Sequence, residues 1–386
     1  MTRRGVAVTI LLLALGCKKP VHPGDPLSDL TEQQLERFGR GKLVFDSVFT
    51  PATGLGPLFN SVACGECHEK PAGGRGDEVE VHATAFRGGA CDPLVQEGGP
   101  VIQRHAIPAL KQALGIDSEP FPPSATARAR RTSPVVFGRG LLDFVPDSVI
   151  LAYADPDDKN HDGVRGRPNR FVDGRIGRFG RKAFVPTLRE FNAGAFVAEM
   201  GVTDPAQPTE ENIGGKPIPA GVDVAADPEL TQEAFNVTDD FVRFLAPPTP
   251  LKVGKEGRRG RQLFSQLGCA ACHVPTLRTG PRGMPAFRNR EVAAYTDLLL
   301  HDMGEELADG RPDFKAGPRD WRTPPLWGLG LSQTVSGSTA MLHDGRARNV
   351  TEAILWHGGE AEVSRETFRN MSRAEREALV RFVEAI

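Results

Sequence analysis

The chain has 386 residues, 39% of them hydrophobic and 25% charged, and carries a formal net charge of -2. That is the balance of a soluble globular protein with length enough for two domains. A chain so near neutrality offers no electrostatic footprint for nucleic acid or for an anionic membrane surface. Forty-three glycines and 32 prolines point to long irregular loops. At the N-terminus Arg3 and Arg4 precede an apolar run over residues 6–15 and then Gly16-Cys17. A charged start and so short an apolar stretch make an export signal, not a membrane-spanning helix. Ala14-Leu15-Gly16-Cys17 resembles a bacterial lipobox, which would make Cys17 the lipidated first residue of a periplasmic protein held to a membrane by that anchor alone. The other reading is an ordinary secretion signal, 1–17, with an unrelated cysteine. Residues 18–30, with Lys18, Lys19 and three prolines, read as a flexible tether.

Thr31-Glu-Gln-Gln34 has the form of a capping box for a first helix, with Leu35, Phe38, Leu43 and Phe45 as its apolar contacts. Next comes Cys64-Gly65-Glu66-Cys67-His68, which has a twin in Cys269-Ala270-Ala271-Cys272-His273. Cys-x-x-Cys-His is the attachment sequence of a c-type haem. Its two thiols are spaced to form thioethers with the two vinyl groups of one porphyrin, and the adjacent histidine is held beneath the iron as proximal ligand. Two full matches use four of only six cysteines, so two c-type haems are expected, on His68 and His273. Read as bare redox dithiols, the same pairs would leave both histidines without a role. Cys91 stands alone, as a buried inert thiol or a redox-active one.

The chain repeats itself around these motifs. Arg40-Gly41-Lys42-Leu43-Val44-Phe45 matches Arg259-Gly260-Arg261-Gln262-Leu263-Phe264, although the first copy has an insertion, residues 46–63, before its cysteines. Residues 240–245 (Asp-Phe-Val-Arg-Phe-Leu) likewise match residues 378–383 (Ala-Leu-Val-Arg-Phe-Val). Ser372-Arg-Ala-Glu375 caps the last helix, whose Leu379, Phe382, Val383 and Ile386 share a face. The proline-rich stretch 247–250 reads as a stiff linker. The expected architecture is mainly α: two c-type cytochrome-like haem domains with long irregular loops, an enlarged one over 31–246 and a compact one over 251–386.

Other residues could complete the sites. Asp158-Lys-Asn160-His-Asp162-Gly163 places oxygen ligands at alternate positions before a turn glycine, as in a calcium loop, but Asn169 replaces the closing Glu of an EF-hand. The alternative is an Asx-rich turn. Sixth-ligand candidates are His301, Met303, Met341, His343 and His357 for the second haem, and His82, His105, His161 and Met200 for the first. Glu190 and Glu199 lie nine apart; either is a solvated charge or a proton shuttle for peroxide cleavage.

The two haem motifs, residues 177–183 (Gly-Arg-Phe-Gly-Arg-Lys-Ala), residues 295–304 (Tyr-Thr-Asp-Leu-Leu-Leu-His-Asp-Met-Gly), Met341-Leu-His343-Asp-Gly345 and residues 353–361 (Ala-Ile-Leu-Trp-His-Gly-Gly-Glu-Ala) resemble the bacterial di-haem oxidoreductases. That family, also called predicted thiol oxidoreductases, is related to the di-haem cytochrome c peroxidases and to the di-haem enzyme that matures a tryptophylquinone cofactor. The resemblance ranks the ligands. In the peroxidases a Met fourteen residues after a His-x-Gly motif caps the C-terminal haem. Here His357 stands fourteen residues after His343, which implies His357 rather than Met303 opposite His273. A bis-histidine haem has a lower potential than a Met/His one. Glu199-Met200-Gly201 resembles the segment that carries the peroxidases' catalytic acid, while Glu190 stands near the place of their Gln and Arg181 where a Trp is expected. If that Trp relays electrons in relatives, Trp321, Trp327 and Trp356 are candidates to replace it. The related peroxidases bind calcium between domains, which would fall to Asp158, Asn160 and Asp162.

The function expected from all this is electron entry at the C-terminal haem and peroxide reduction at the N-terminal one, with Glu199 as acid–base. The alternative is a non-catalytic periplasmic di-haem electron-transfer cytochrome. The expected partners are a small redox protein or a quinol-derived electron donor and a small oxidant such as hydrogen peroxide.

Overall fold

The computed structural model describes residues 19–68, 79–87 and 90–386. Cys17 and the export signal lie outside these residues. Two crossed helix pairs repeat through the chain. In the first, the Glu32–Phe45 helix, opened by a capping box between Thr31 and Gln34, packs against the Gln232–Phe244 helix. In the second, Lys255–Gln266 packs against Arg373–Val383, which Ser372 caps. Each crossing is closed by a glycine. A Cβ on Gly41 would lie 1.9 Å from the Val237 carbonyl oxygen and 2.7 Å from the Phe241 Cβ. A Cβ on Gly260 would lie 2.0 Å from the Ala378 oxygen and 2.7 Å from the Phe382 Cβ. Only residues without a side chain let the backbones approach so closely.

These contacts correct the repeat's register. Phe382 corresponds to Phe241, not to Phe244 as the matched strings suggested: Phe241 packs on Phe45 at 5.0 Å between ring centres, and Phe382 on Phe264 at 5.5 Å. A three-residue slip nearly preserves a helix face, so string similarity cannot distinguish the two registers.

The mainly α expectation is overturned. The chain is 35% helical and 14% strand, with several small sheets, and is not a mainly α two-domain cytochrome arrangement. A four-stranded sheet is built on Val79–Arg87, which pairs with Ala90–Asp92, Val101–Ile102 and Ala127–Thr132, all antiparallel. Two-residue ribbons join Leu58–Phe59 to His105–Ala106 and Leu277–Arg278 to Glu291–Val292, and Leu300–Asp302 pairs with Asp320–Arg322. Val79–Arg87 forms a strand because Val79, Val81, Ala83 and Ala85 alternate with larger residues, and Ala83 and Ala85 are fully buried. The long loops expected from the glycine and proline content are partly these short ribbons.

Charges cross between the halves. Arg131, at the end of the four-stranded sheet, pairs with Asp309 and Asp313 at 2.7 Å each. The fully buried Lys182 bonds Asp309 at 2.8 Å and also donates to the carbonyls of Arg311, Gly317 and Pro318. Burial alone would raise the carboxyls of Asp309 and Asp313, but the neighbouring cations outweigh it and hold both below the usual range.

Candidate haem sites

Each Cys-x-x-Cys-His motif folds into one tight turn; Cys269 follows closely on the Lys255–Gln266 helix, whereas residues 46–63 separate Cys64 from the Glu32–Phe45 helix. The histidine amide donates to the carbonyl of the first cysteine, His68 to Cys64 at 3.0 Å and His273 to Cys269 at 2.9 Å. The phenyl ring that ends the preceding helix lies beside each imidazole: Phe45 is 6.1 Å from His68 and Phe264 is 6.3 Å from His273. Burial pushes the Cys64 thiol up to about 12 and the Cys269 thiol up to about 11, the reverse of what a reactive dithiol needs.

In the C-terminal site the rings of His273 and His357 face each other with their centres 6.5 Å apart. Two imidazoles bound to one metal at about 2 Å on each side would sit roughly 6 Å apart, so the pair fits a single six-coordinate iron. His273 Nδ1 donates to the Tyr295 carbonyl at 2.9 Å and His357 Nδ1 to the Ala353 carbonyl at 2.6 Å. Those bonds fix the tautomer that leaves both Nε2 atoms as donors to a metal. Burial lowers His273 to about 4 and lowers His357 also, keeping both in the neutral form that ligates.

The motifs at 295–304 and 353–361 meet here as one unit. His301 is fully engaged, with Nε2 on Asp297 at 2.8 Å and Nδ1 on Glu360 at 2.7 Å. Burial would lower it, but Asp297, the Cys272 sulfur at 3.6 Å and Glu360 together outweigh that and raise it well above the ordinary histidine value. Glu360 also accepts the Asp302 amide, and a Cβ on Gly359 would lie 2.2 Å from the Asp302 carbonyl oxygen. The unit carries His357 to its place opposite His273. It also removes His301 from the candidate ligands.

The N-terminal site is a cleft open to solvent. Phe45, Cys64 and His68 form one wall; Phe191, Ala195 and Phe196 of the Leu188–Met200 helix form another. Among the described residues that line it, His68 is the sole histidine and no methionine is present. The other first-haem candidates are elsewhere. His82 bonds Glu80, His105 is exposed beside Phe59, His161 is exposed, and Met200 is buried in the apolar cluster that backs the cleft through Phe196 and Cys64 without itself lining it. His343 is likewise removed from ligation: it stacks on Trp321 at 3.8 Å.

The cleft also holds three arginines that the motif pattern did not single out as a group, Arg139, Arg181 and Arg322. They come from three distant segments with no shared spacing, so no sequence signal unites them. Their cationic wall and the apolar walls opposite suit an amphipathic, carboxylate-bearing macrocycle.

Glu199 is not among the residues lining the cleft. It lies at the end of the Leu188–Met200 helix, takes a hydrogen bond from Asn60 Nδ2 at 3.0 Å, and its charge helps push the Cys64 thiol up. Glu190 pairs on the surface with Arg175, and that hydrogen-bonded pairing lowers its carboxyl. In the 158–163 loop the oxygens of Asp158, Asn160 and Asp162 accept amides of Gly163, Asp162 and Val164, and Asn160 Nδ2 donates to Asp162 at 3.0 Å. Asn169 is buried and its side chain is used by Lys182, Asp313, Arg170 and Lys315. Cys91 is half-buried and donates to the Pro312 carbonyl.

Residues 111–386 match the family model described as "Di-haem oxidoreductase, putative peroxidase". The first Cys-x-x-Cys-His motif precedes the matched residues. No curated protein matches the chain. Among solved structures, the chain is 14% identical to the hydrazine synthase of Kuenenia stuttgartiensis, with 100% of both chains covered and a TM-score of 0.44. It is also 14% identical to a MauG-like protein associated with microbial copper homeostasis, covering 95% of this chain and 92% of that one, with a TM-score of 0.42. Likenesses so slight carry no argument about chemistry.

Proposed function

The chain belongs to the di-haem oxidoreductase family, and on that premise we propose that it is an exported c-type enzyme in which electrons enter at the C-terminal site and hydrogen peroxide or a similar small oxidant is reduced at the N-terminal site. The observation that carries this reading is an asymmetry. His273 faces His357 across 6.5 Å, whereas His68 is the sole histidine among the described residues lining the N-terminal cleft.

When bound, a c-type haem supplies an iron that exchanges single electrons and, with one axial position open, a place for a small oxidant. Cys64 and Cys67 would hold the first haem and Cys269 and Cys272 the second. His68 would be the proximal ligand of the open site, and His273 with His357 the axial pair of the closed one. Reducing one peroxide to two waters takes two electrons and two protons. The electrons would come from a small redox protein or a quinol-derived donor. Glu199, behind Cys64, is the carboxylate proposed to hold and release the protons, and the apolar walls of Phe45, Phe191 and Phe196 would exclude bulk water from the reacting face. In this reading Cys17 anchors the mature protein in the periplasm, and Asp158, Asn160 and Asp162 are its calcium ligands.

A pyridine haemochrome assay and electron paramagnetic resonance test the proposal together. Expected are two covalent haems per chain, one low-spin signal that disappears in His357→Gly, and a second haem whose spectrum peroxide perturbs. Two low-spin, bis-ligated haems that persist on reduction and ignore peroxide would instead identify an electron-transfer cytochrome without catalysis.

A further inference from the structure

Among the described residues, the three arginines of the N-terminal cleft have no acidic partner within hydrogen-bonding distance. Arg139 donates through Nε and Nη2 to the Val135 carbonyl, at 3.0 and 2.9 Å. Arg181 donates through Nη2 to the Thr132 carbonyl and hydroxyl, both at 2.7 Å. Arg322 donates through Nε to the Gly180 carbonyl and through Nη1 to the Thr323 carbonyl, both at 3.1 Å. Each therefore keeps one terminal nitrogen, Arg139 Nη1, Arg181 Nη1 and Arg322 Nη2, without a protein acceptor among the described residues, and Arg181 Nε is buried with none. The bonds they do make orient three guanidinium planes without neutralising them.

Such an arrangement is costly. Arg322 is buried and Arg139 and Arg181 are partly buried; charges so placed without a counter-ion give up hydration, and three together also repel one another. Burial first, and then Arg322 and Arg181, depresses the Arg139 guanidinium well below its ordinary value; burial and Arg181 bring Arg322 down to about 10 against the pull of Asp297, and burial brings Arg181 to about 10 against the more distant Glu80 and Asp344. Around Arg131, where Lys182 and Arg311 also crowd, and around Arg243, paired aspartates compensate. A guanidinium held by backbone carbonyls, with one edge left open, is built to take a planar oxyanion, and a carboxylate matches that edge best.

We propose that Arg139, Arg181 and Arg322 form a carboxylate-binding subsite of the N-terminal cleft whose occupants are the two propionates of the haem attached at Cys64 and Cys67. This rests on the functional reading above and adds to it the part of the cleft that orients the macrocycle. Two propionates against three guanidiniums leave the subsite cationic. It therefore favours the more reduced, less positively charged state of the site and raises its midpoint potential.

The test is spectroelectrochemistry of the purified holoprotein, with the C-terminal haem as internal reference, on Arg139→Gln, Arg322→Gln and Arg139→Lys. Both Gln variants are expected to lower the N-terminal midpoint potential and make it pH-dependent near neutrality, as a propionate begins to titrate. Arg139→Lys should keep the wild-type value, and the C-terminal potential should not move in any variant. Arg139 bonds only the Val135 carbonyl, so its variants remain informative if Arg322→Gln does not fold. Wild-type protein is also titrated with sodium acetate. A flat response supports propionates as occupants; a saturable spectral shift that is lost in Arg139→Gln would show an edge open to external carboxylates and overturn the assignment. An N-terminal potential unchanged in both Gln variants overturns it as well. If the wild type itself lacks covalent haem, it is the functional reading that falls.

Discussion

His343 shows how a residue's surroundings redirect it. Its place in His-Asp-Gly made it a ligand candidate, yet it lies flat on Trp321 with 7% of its surface exposed. Burial brings it down to about 4, with Asp344 opposing the shift. A histidine whose folded value is depressed contributes stability that is complete above its unfolded value of about 6.5 and is lost as pH falls toward 4, because only the unfolded chain takes the proton. The slope for one such group is about 1.4 kcal/mol per pH unit. Urea unfolding of His343→Phe between pH 7 and 4 should therefore show a shallower loss of stability than the wild type, and equal slopes would refute this. His357 was singled out by the resemblance to the peroxidases, whose fourteen-residue step falls here between His343 and His357. Arg139, Arg181 and Arg322 were not, since nothing along the chain records that they meet.

The helix pairs make a sharper test of the repeat. Gly41 and Gly39 occupy one helix, but a Cβ on Gly39 would meet nothing within 4 Å, while one on Gly41 would strike the Val237 carbonyl. Gly39→Ala should therefore be neutral or stabilise by about 0.5–1 kcal/mol through helix propensity. Gly41→Ala, and Gly260→Ala in the second pair, should each destabilise by about 1–3 kcal/mol or more because the helices must separate. Thermal unfolding of the three variants reads this directly; a Gly41→Ala protein as stable as Gly39→Ala would mean that the crossings are not closed by glycine. The helices themselves were readable from caps and apolar spacing. Their register was not, because a three-residue shift keeps the same face; the ribbons were missed because strands of two or three residues have no period to detect, whereas the nine-residue Val79–Arg87 strand carries an alternation that was passed over.

Across the whole molecule, the buried charges at Arg131, Lys182, Asp309 and Asp313 tie the segment before the proline-rich stretch to the segment after it. Removing Lys182 leaves Asp309 with Arg131 alone and takes the ammonium donor from the carbonyls of Arg311, Gly317 and Pro318, a loss of about 3–5 kcal/mol. Lys182→Met should show that loss in urea unfolding, whereas Met at the exposed Lys159 should change nothing measurable; equal stabilities would remove the charged core from the account of how the halves hold together. The sequence by itself determined what local chemistry can encode: two Cys-x-x-Cys-His turns, the helices that lead into them, and the resemblance to the family, which ranked His357 among the candidate ligands. Only the tertiary structure decided which distant residues share a site. It made one site a closed histidine pair and the other a cleft walled by arginines, and it joined the halves through buried charge. Long-range proximity is set by how buried surfaces and charges compensate one another in three dimensions, and one-dimensional spacing carries no record of that.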